Sequence, residues 1–100
     1  MEKQTPHYDL TVVKVRVMRD GIFTFTATAR KGASALGLSD AVAVGMVLNL
    51  QRNQLFKSMT THADHRVWQD VYHASCPDGK AAYIKLTLQD GALVIQFKEK

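Results

Sequence analysis

The pair Asp90-Gly91 constrains this chain more than any other two residues. It lies between two runs that alternate apolar and polar side chains, residues 82–88 and 93–98, and Asp-Gly is a preferred pair for a two-residue type I′ turn, which needs positive φ at both positions. Such a turn fixes the register of the strands it joins. With Asp90 and Gly91 at the tip, Leu88 faces Leu93, Leu86 faces Ile95 and Ile84 faces Phe97 on one side of the ribbon. On the other side Thr87 faces Val94, Lys85 faces Gln96 and Tyr83 faces Lys98. One side is apolar and the other basic.

Two earlier stretches, 55–60 and 67–73, have the same period of two and read as strands of the same sheet, with turn residues at Ala63-Asp64 and Pro77-Asp78-Gly79. Alternation puts Lys57, Met59, Gln69 and His73 beside Tyr83 on the basic side, and turns Trp68 and Tyr72 toward the apolar one. An apolar sheet face needs a cover, and the first half of the chain supplies helices for it. The expected fold is therefore α+β, with N-terminal helices packed on one face of a mainly antiparallel sheet. Long exposed edge strands would invite a partner chain.

Thr5 followed by Pro6 reads as the start of a first helix spanning 8–20, with Leu10, Val13 and Val17 inward and Gly21 as the stop. Residues 22–25 alternate as a short strand, after which Thr26 caps a helix carrying Ala29, Ala33 and Leu36 and ending at Gly37. Gly32 inside that helix predicts the close approach of a neighbouring helix. Ser39 or Asp40 caps a third helix running to Gln51, with Ala43, Met46, Val47 and Leu50 on one face. Residues 1–51 carry no recognisable chemistry.

One hundred residues suit one domain, 1–100, and no apolar run is long enough to span a bilayer, so the expectation is a cytoplasmic protein without a membrane partner. The single cysteine, Cys76, forms no intramolecular disulfide and reads as an inert loop thiol. Thirteen Lys and Arg against nine Asp and Glu give a charge of +4, which favours an anionic partner such as nucleic acid. Asp20, Asp78 and Asp90 precede glycines as turn residues and Asp40 reads as a cap, which leaves no carboxylate of matching parity among the basic-face strands. A two-metal nuclease needs such a cluster, so any bound phosphodiester would be stabilised by lysines. His62, Asp64 and His65 do not have the spacing of a metalloprotease helix, and no glycine-rich phosphate loop, nucleophile elbow or dinucleotide fingerprint is present. Neither metal nor cofactor is expected.

Six stretches in order, MEKQTPH at the start, FKSMTT at 56–61, DH at 64–65, WQDVY at 68–72, YIK at 83–85 and VIQFKEK at the end, resemble the motility quorum-sensing regulator (MqsR) toxins of type II toxin–antitoxin pairs. The resemblance covers essentially the whole chain. It implies a fold related to the RelE and YoeB toxins and an mRNA interferase that cuts single-stranded messenger RNA without a metal and without the ribosome. It also implies a cognate, DNA-binding antitoxin like MqsA. Residue by residue it carries the catalytic set to Lys57, Gln69, Tyr83 and Lys98, with Met59 beside them. Phe56 stands where the best-known member has tyrosine, and His73 where it has arginine. These two residues, with Met59, Lys85 and Gln96 of the basic face, are the expected RNA contacts.

RNA brings its own nucleophile, the 2′-hydroxyl, so such an enzyme has to align it, move its proton and stabilise the added charge on phosphorus. Lys57 and Lys98 suit the electrostatic part. Tyr83 suits orienting or protonating the leaving 5′-oxygen, or serving as base beside a lysine. Gln69 suits holding a base edge or ribose, and His73 a further acid or base. A non-catalytic RNA- or antitoxin-binding module and a ribosome-dependent nuclease are the alternatives.

Overall fold

The alternating second half forms the sheet, and the sheet dictates where everything else sits. The computed structural model describes residues 1–100. In chain order these form β1 (Glu2–Lys3), α1 (Leu10–Asp20), α2 (Ala27–Ala35), α3 (Asp40–Leu48), β2 (Leu55–Thr60), β3 (Trp68–Ser75), β4 (Ala81–Gln89) and β5 (Ala92–Glu99), with 3₁₀ turns at Gly21–Thr24 and Arg52–Gln54. The strands make one five-stranded antiparallel sheet in sequence order. Asp90 and Gly91 have φ of 52° and 78°, the positive values a type I′ turn requires. The six cross-strand pairs expected of β4 and β5 are all present.

The apolar face, with Tyr72, Ile84, Leu86, Ile95 and Phe97 fully or nearly buried, is covered by the inward stripes of the helices. Val13 and Val17 come from α1, Ala29 and Ala33 from α2, and Ala43 and Val47 from α3. Small residues on α2 let that helix lie close against β5. At Gly32 the approach is so close that a Cβ would collide with the backbone carbonyl of Phe97. The glycine is therefore required, but by a strand rather than by the neighbouring helix its sequence context suggested.

Four other expectations are corrected. The first helix starts at Leu10 with Asp9 as its cap, the Asp9 carboxylate accepting from Thr11 N–H at 2.8 Å. Thr5 and Pro6 precede it, and the chain before them pairs instead with β2 as β1. Residues 22–25 are not a strand: positive φ at Gly21 turns the chain into a 3₁₀ helix that leaves Phe23 88% exposed, and only Phe25 bridges to Ile95. That bridge, with Thr26 N–H donating to Ile95 O at 3.1 Å, occupies part of the outer edge of β5 that sequence alone leaves free for a partner. The third helix is capped by Ser39 and ends at Leu48, with Asn49 closing it, while Asp40 in its first turn pairs with Arg30 at 2.9 Å.

A buried carboxylate fastens the N-terminal segment to the sheet. Asp70, fully buried on the helix side of β3, accepts from His7 N–H at 3.1 Å, Tyr8 N–H at 2.9 Å and Ser58 Oγ at 2.6 Å. Such a group is tolerated inside only when its lone pairs are met, as they are here. Trp68 is on the apolar side as expected, yet it is covered by this segment rather than by a helix: His7 stacks on it at 5.1 Å and Lys3 lies 4.2 Å from its ring centre.

Candidate active site

The face away from the helices is arranged in three rows that cross the sheet. His73, Tyr83 and Lys98 are direct partners on β3, β4 and β5. Lys57, Val71, Lys85 and Gln96 form the next row, from β2 to β5. Glu2, Met59 and Gln69 form the third, from β1 to β3. Every expected catalytic or RNA-contacting residue except Phe56 is therefore in one of these rows.

Phe56 reaches this face by a bulge. Leu55 pairs with Tyr72 and Lys57 with Val71, so Phe56 is an extra residue in β2. Strict alternation would send Phe56 and Lys57 to opposite sides; the bulge lets both project from the same one, the re-aiming that bulges bring about. The Phe56 ring stacks on His73 at 4.5 Å and 19°, and the Lys57 ammonium lies 5.5 Å from its centre. His73 in turn lies 5.9 Å from Tyr83, whose ring is 5.1 Å from the ammonium of Lys98. A continuous chain of aromatic and cationic groups thus runs from β2 to β5.

The charges on this face are set by burial and by one another. Val71, between Lys57 and Lys85, is completely buried although it faces away from the helical core, so the lysine stems beside it are packed rather than splayed. Burial, then repulsion from Lys98, pushes the Lys85 ammonium below its ordinary pKa. His73 is lowered from its ordinary value by burial first and by Lys100 second, so at neutral pH it is an uncharged ring able to accept a proton. Lys57 is shifted the other way, raised chiefly by its hydrogen bond to Glu2.

A cleft of about 270 Å³ opens between β4, β5 and the start of α2, lined by Tyr83, Lys85, Gln96 and Lys98 with Thr26 and Thr28. The two threonines were missed from the sequence, although the reading of Thr26 as a cap already marked a helix N-terminus, whose partial positive charge adds to that of the lysines. A shallower depression of about 530 Å³ flanks Phe56 and His73 on the other side and includes Lys100. Gln69 stands apart from both. It lies two strands and four residues from Lys98, roughly 16 Å by standard sheet spacings, and belongs to a different part of any bound chain.

The four strands read from the sequence bring no carboxylate to this face, but β1, which the sequence did not reveal, adds Glu2. Its Oε1 is 2.8 Å from Lys57 Nζ. Nothing in the sequence pointed to it, because a two-residue strand has no detectable period. In the loop before β3, Asp64 is held by Arg66 at 3.0 Å and by the Arg66 N–H at 2.9 Å, which removes it from any joint role with His62 and His65.

A sequence model of the family described as motility quorum-sensing regulator, toxin of MqsA, matches residues 5–99. The chain belongs to that family. Among motility quorum-sensing regulator toxins, the mRNA interferase toxin MqsR of Escherichia coli (strain K12) is 38% identical to it over 100 residues, which is the full length of both chains. The three-row face of this family member presents Lys57, Gln69, Tyr83 and Lys98.

Proposed function

We propose that this chain is the toxin of a toxin–antitoxin pair and a sequence-specific endoribonuclease that cuts single-stranded messenger RNA without a metal and without the ribosome. The observation that carries this reading is the His73–Tyr83–Lys98 row, backed by Lys57 and Lys85, on the sheet face opposite the helical core. The relative's name, mRNA interferase toxin, supports it. A phosphate seated in the cleft beside Tyr83 lies within the field of Lys98 and Lys85 and in front of the N-terminus of α2.

The chemistry then follows from the protonation states. Neutral His73 accepts the proton of the 2′-hydroxyl, the oxygen attacks phosphorus, and the bond to the 5′-oxygen breaks as Tyr83 donates its hydroxyl proton to that oxygen. Lys57 and Lys98 stabilise the charge that builds on the non-bridging oxygens. The products are a 2′,3′-cyclic phosphate and a 5′-hydroxyl. Phe56 offers a ring for a base to stack on, and Met59 and Gln69 hold a neighbouring nucleotide. Its protein partner is a cognate antitoxin like MqsA, and its place is the cytoplasm; no single helix is long and apolar enough to cross a membrane.

Incubating the protein with a defined RNA in excess EDTA and without ribosomes tests the reading. Discrete cuts ending in 5′-hydroxyls are the expected result. RNA that stays intact here but is cut once ribosomes translate it favours a ribosome-dependent enzyme, and binding without turnover favours a non-catalytic module.

A further inference from the structure

Lys57 is not free to meet a phosphate. Its ammonium is already bonded to Glu2 at 2.8 Å, the length of a charge-assisted hydrogen bond. Glu2 is also the one carboxylate among the strand residues of the three rows. We propose that Glu2 is a built-in rival of the RNA phosphate: its carboxylate occupies the place on Lys57 that a phosphate oxygen takes, and RNA binds by displacing it. This inference rests on the ribonuclease reading and adds to it the group that sets how tightly the face holds RNA.

The two partners differ in how readily they move. The Lys57 side chain is 26% exposed and its stem runs beside buried Val71, whereas the Glu2 side chain is 56% exposed. The backbone of the N-terminal strand is anchored independently of the carboxylate, since Thr60 N–H donates to Met1 O at 3.0 Å and the N-terminal ammonium meets Thr60 Oγ1 at 3.2 Å. Glu2 can therefore swing into solvent while β1 stays paired. Exposed ion pairs are weak, so a phosphate that also feels Lys98 and Lys85 outcompetes the carboxylate. A polyanion that touches Lys57 alone does not. The mutual pair keeps Lys57 charged and Glu2 ionised, so the rivalry persists across the neutral range.

The test is binding of a short single-stranded RNA with every 2′-hydroxyl methylated, followed by fluorescence anisotropy over a series of salt concentrations. Wild type, Glu2→Gln, Lys57→Gln and the double variant are compared, and thermal melting checks that each is folded. Glu2→Gln should tighten binding roughly two- to fivefold at low salt, the range an exposed ion pair supports. The slope of log K against log salt should stay nearly the same, because Lys57 meets a phosphate in both complexes, and Lys57→Gln should lower it by about 0.7. The gain in affinity should vanish in the Lys57→Gln background. Unchanged or weaker binding by Glu2→Gln overturns the proposal, as does a gain that persists without Lys57, which would reflect net charge alone. Wild type that neither binds this RNA nor cuts the unmodified one overturns the ribonuclease reading together with it.

Discussion

Lys98 and Tyr83 are direct partners across β5 and β4, and the lysine ammonium stands 5.1 Å from the centre of the phenol ring. The turn at Asp90 and Gly91 sets that pairing, so the cation is in position before substrate arrives. Lys98 is exposed and has no carboxylate partner among the ion pairs of the protein. Lys98→Ala should therefore lower cleavage of a defined RNA by about 10²- to 10³-fold, the scale for losing one preorganised donor to a developing charge. Its melting temperature should stay within a degree or two of wild type. Near-normal cleavage by this variant would remove Lys98 from the mechanism.

Tyr83→Phe keeps the ring that meets His73 and Lys98 and deletes only the hydroxyl. If that hydroxyl protonates the leaving oxygen, kcat should fall about 10²-fold with KM nearly unchanged. A rise in KM alone would make Tyr83 a binding residue.

If His73 is the base of the proposed reaction, it should give cleavage its acid limb. Because the folded pKa lies below the unfolded one, the unfolded chain takes up the proton first as pH falls. The contribution of this histidine to stability is thus present above about pH 6.5 and declines below it until the folded pKa is reached. Cleavage should fall over the same side of neutrality, with a midpoint below the ordinary histidine value. Lys100→Gln removes the second cause of the depression and should move the midpoint upward, while His73→Gln should abolish this limb. A pH profile of kcat/KM for the three proteins decides it.

Gly32→Ala tests the contact between α2 and β5. The added methyl meets the Phe97 carbonyl on the outer edge of β5, and relieving the clash would shift the strand backbone that carries Lys98 next to it. Overpacking of this kind costs about 1–3 kcal/mol or more. Denaturant unfolding should show the loss, and cleavage should drop along with it.

Asp70→Ala should detach the N-terminal segment. Three donors lose their acceptor, two of them backbone N–H groups of His7 and Tyr8, at about 1–3 kcal/mol for each one left buried and unpaired. Limited proteolysis near residues 4–8 should become faster in the variant than in wild type.

What sequence revealed depended on how far a signal had to reach. The β4–β5 register was legible because two turn residues specify it locally, and the lysine-bearing face followed from that register. The helix cap at Thr26 was legible for the same reason, and the next was narrowed to Ser39 or Asp40, of which Ser39 is the cap. The Phe56 bulge was not, since one inserted residue leaves the pattern of LFKSMT unchanged and shows only in what Leu55 and Lys57 pair with. Glu2 was invisible because its partner Met59 lies beyond all three helices. Residues 22–25 misled because the alternation of Ile, Phe, Thr and Phe is not unique to strands: here a 3₁₀ turn exposes Phe23 and buries Thr24 and Phe25, and the positive φ at Gly21 decides between the two. Gln69 was grouped with Lys98 because parity reports the face of a sheet and not distance along it.

The insertion of the helical half between β1 and β2 also bears on the order in which the molecule assembles. Strands β2 to β5 join consecutive neighbours through short connections, so each pairing closes a small loop, whereas pairing Glu2 with Met59 closes most of the first sixty residues. Closure entropy rises with the logarithm of loop length, which makes the N-terminal clasp the slowest contact to nucleate and the first to open. Hydrogen exchange should find the Thr60 amide, bonded to Met1 O, less protected than the amides between β4 and β5. Glu2, which precedes all three helices in the chain, reaches its place at the end of folding.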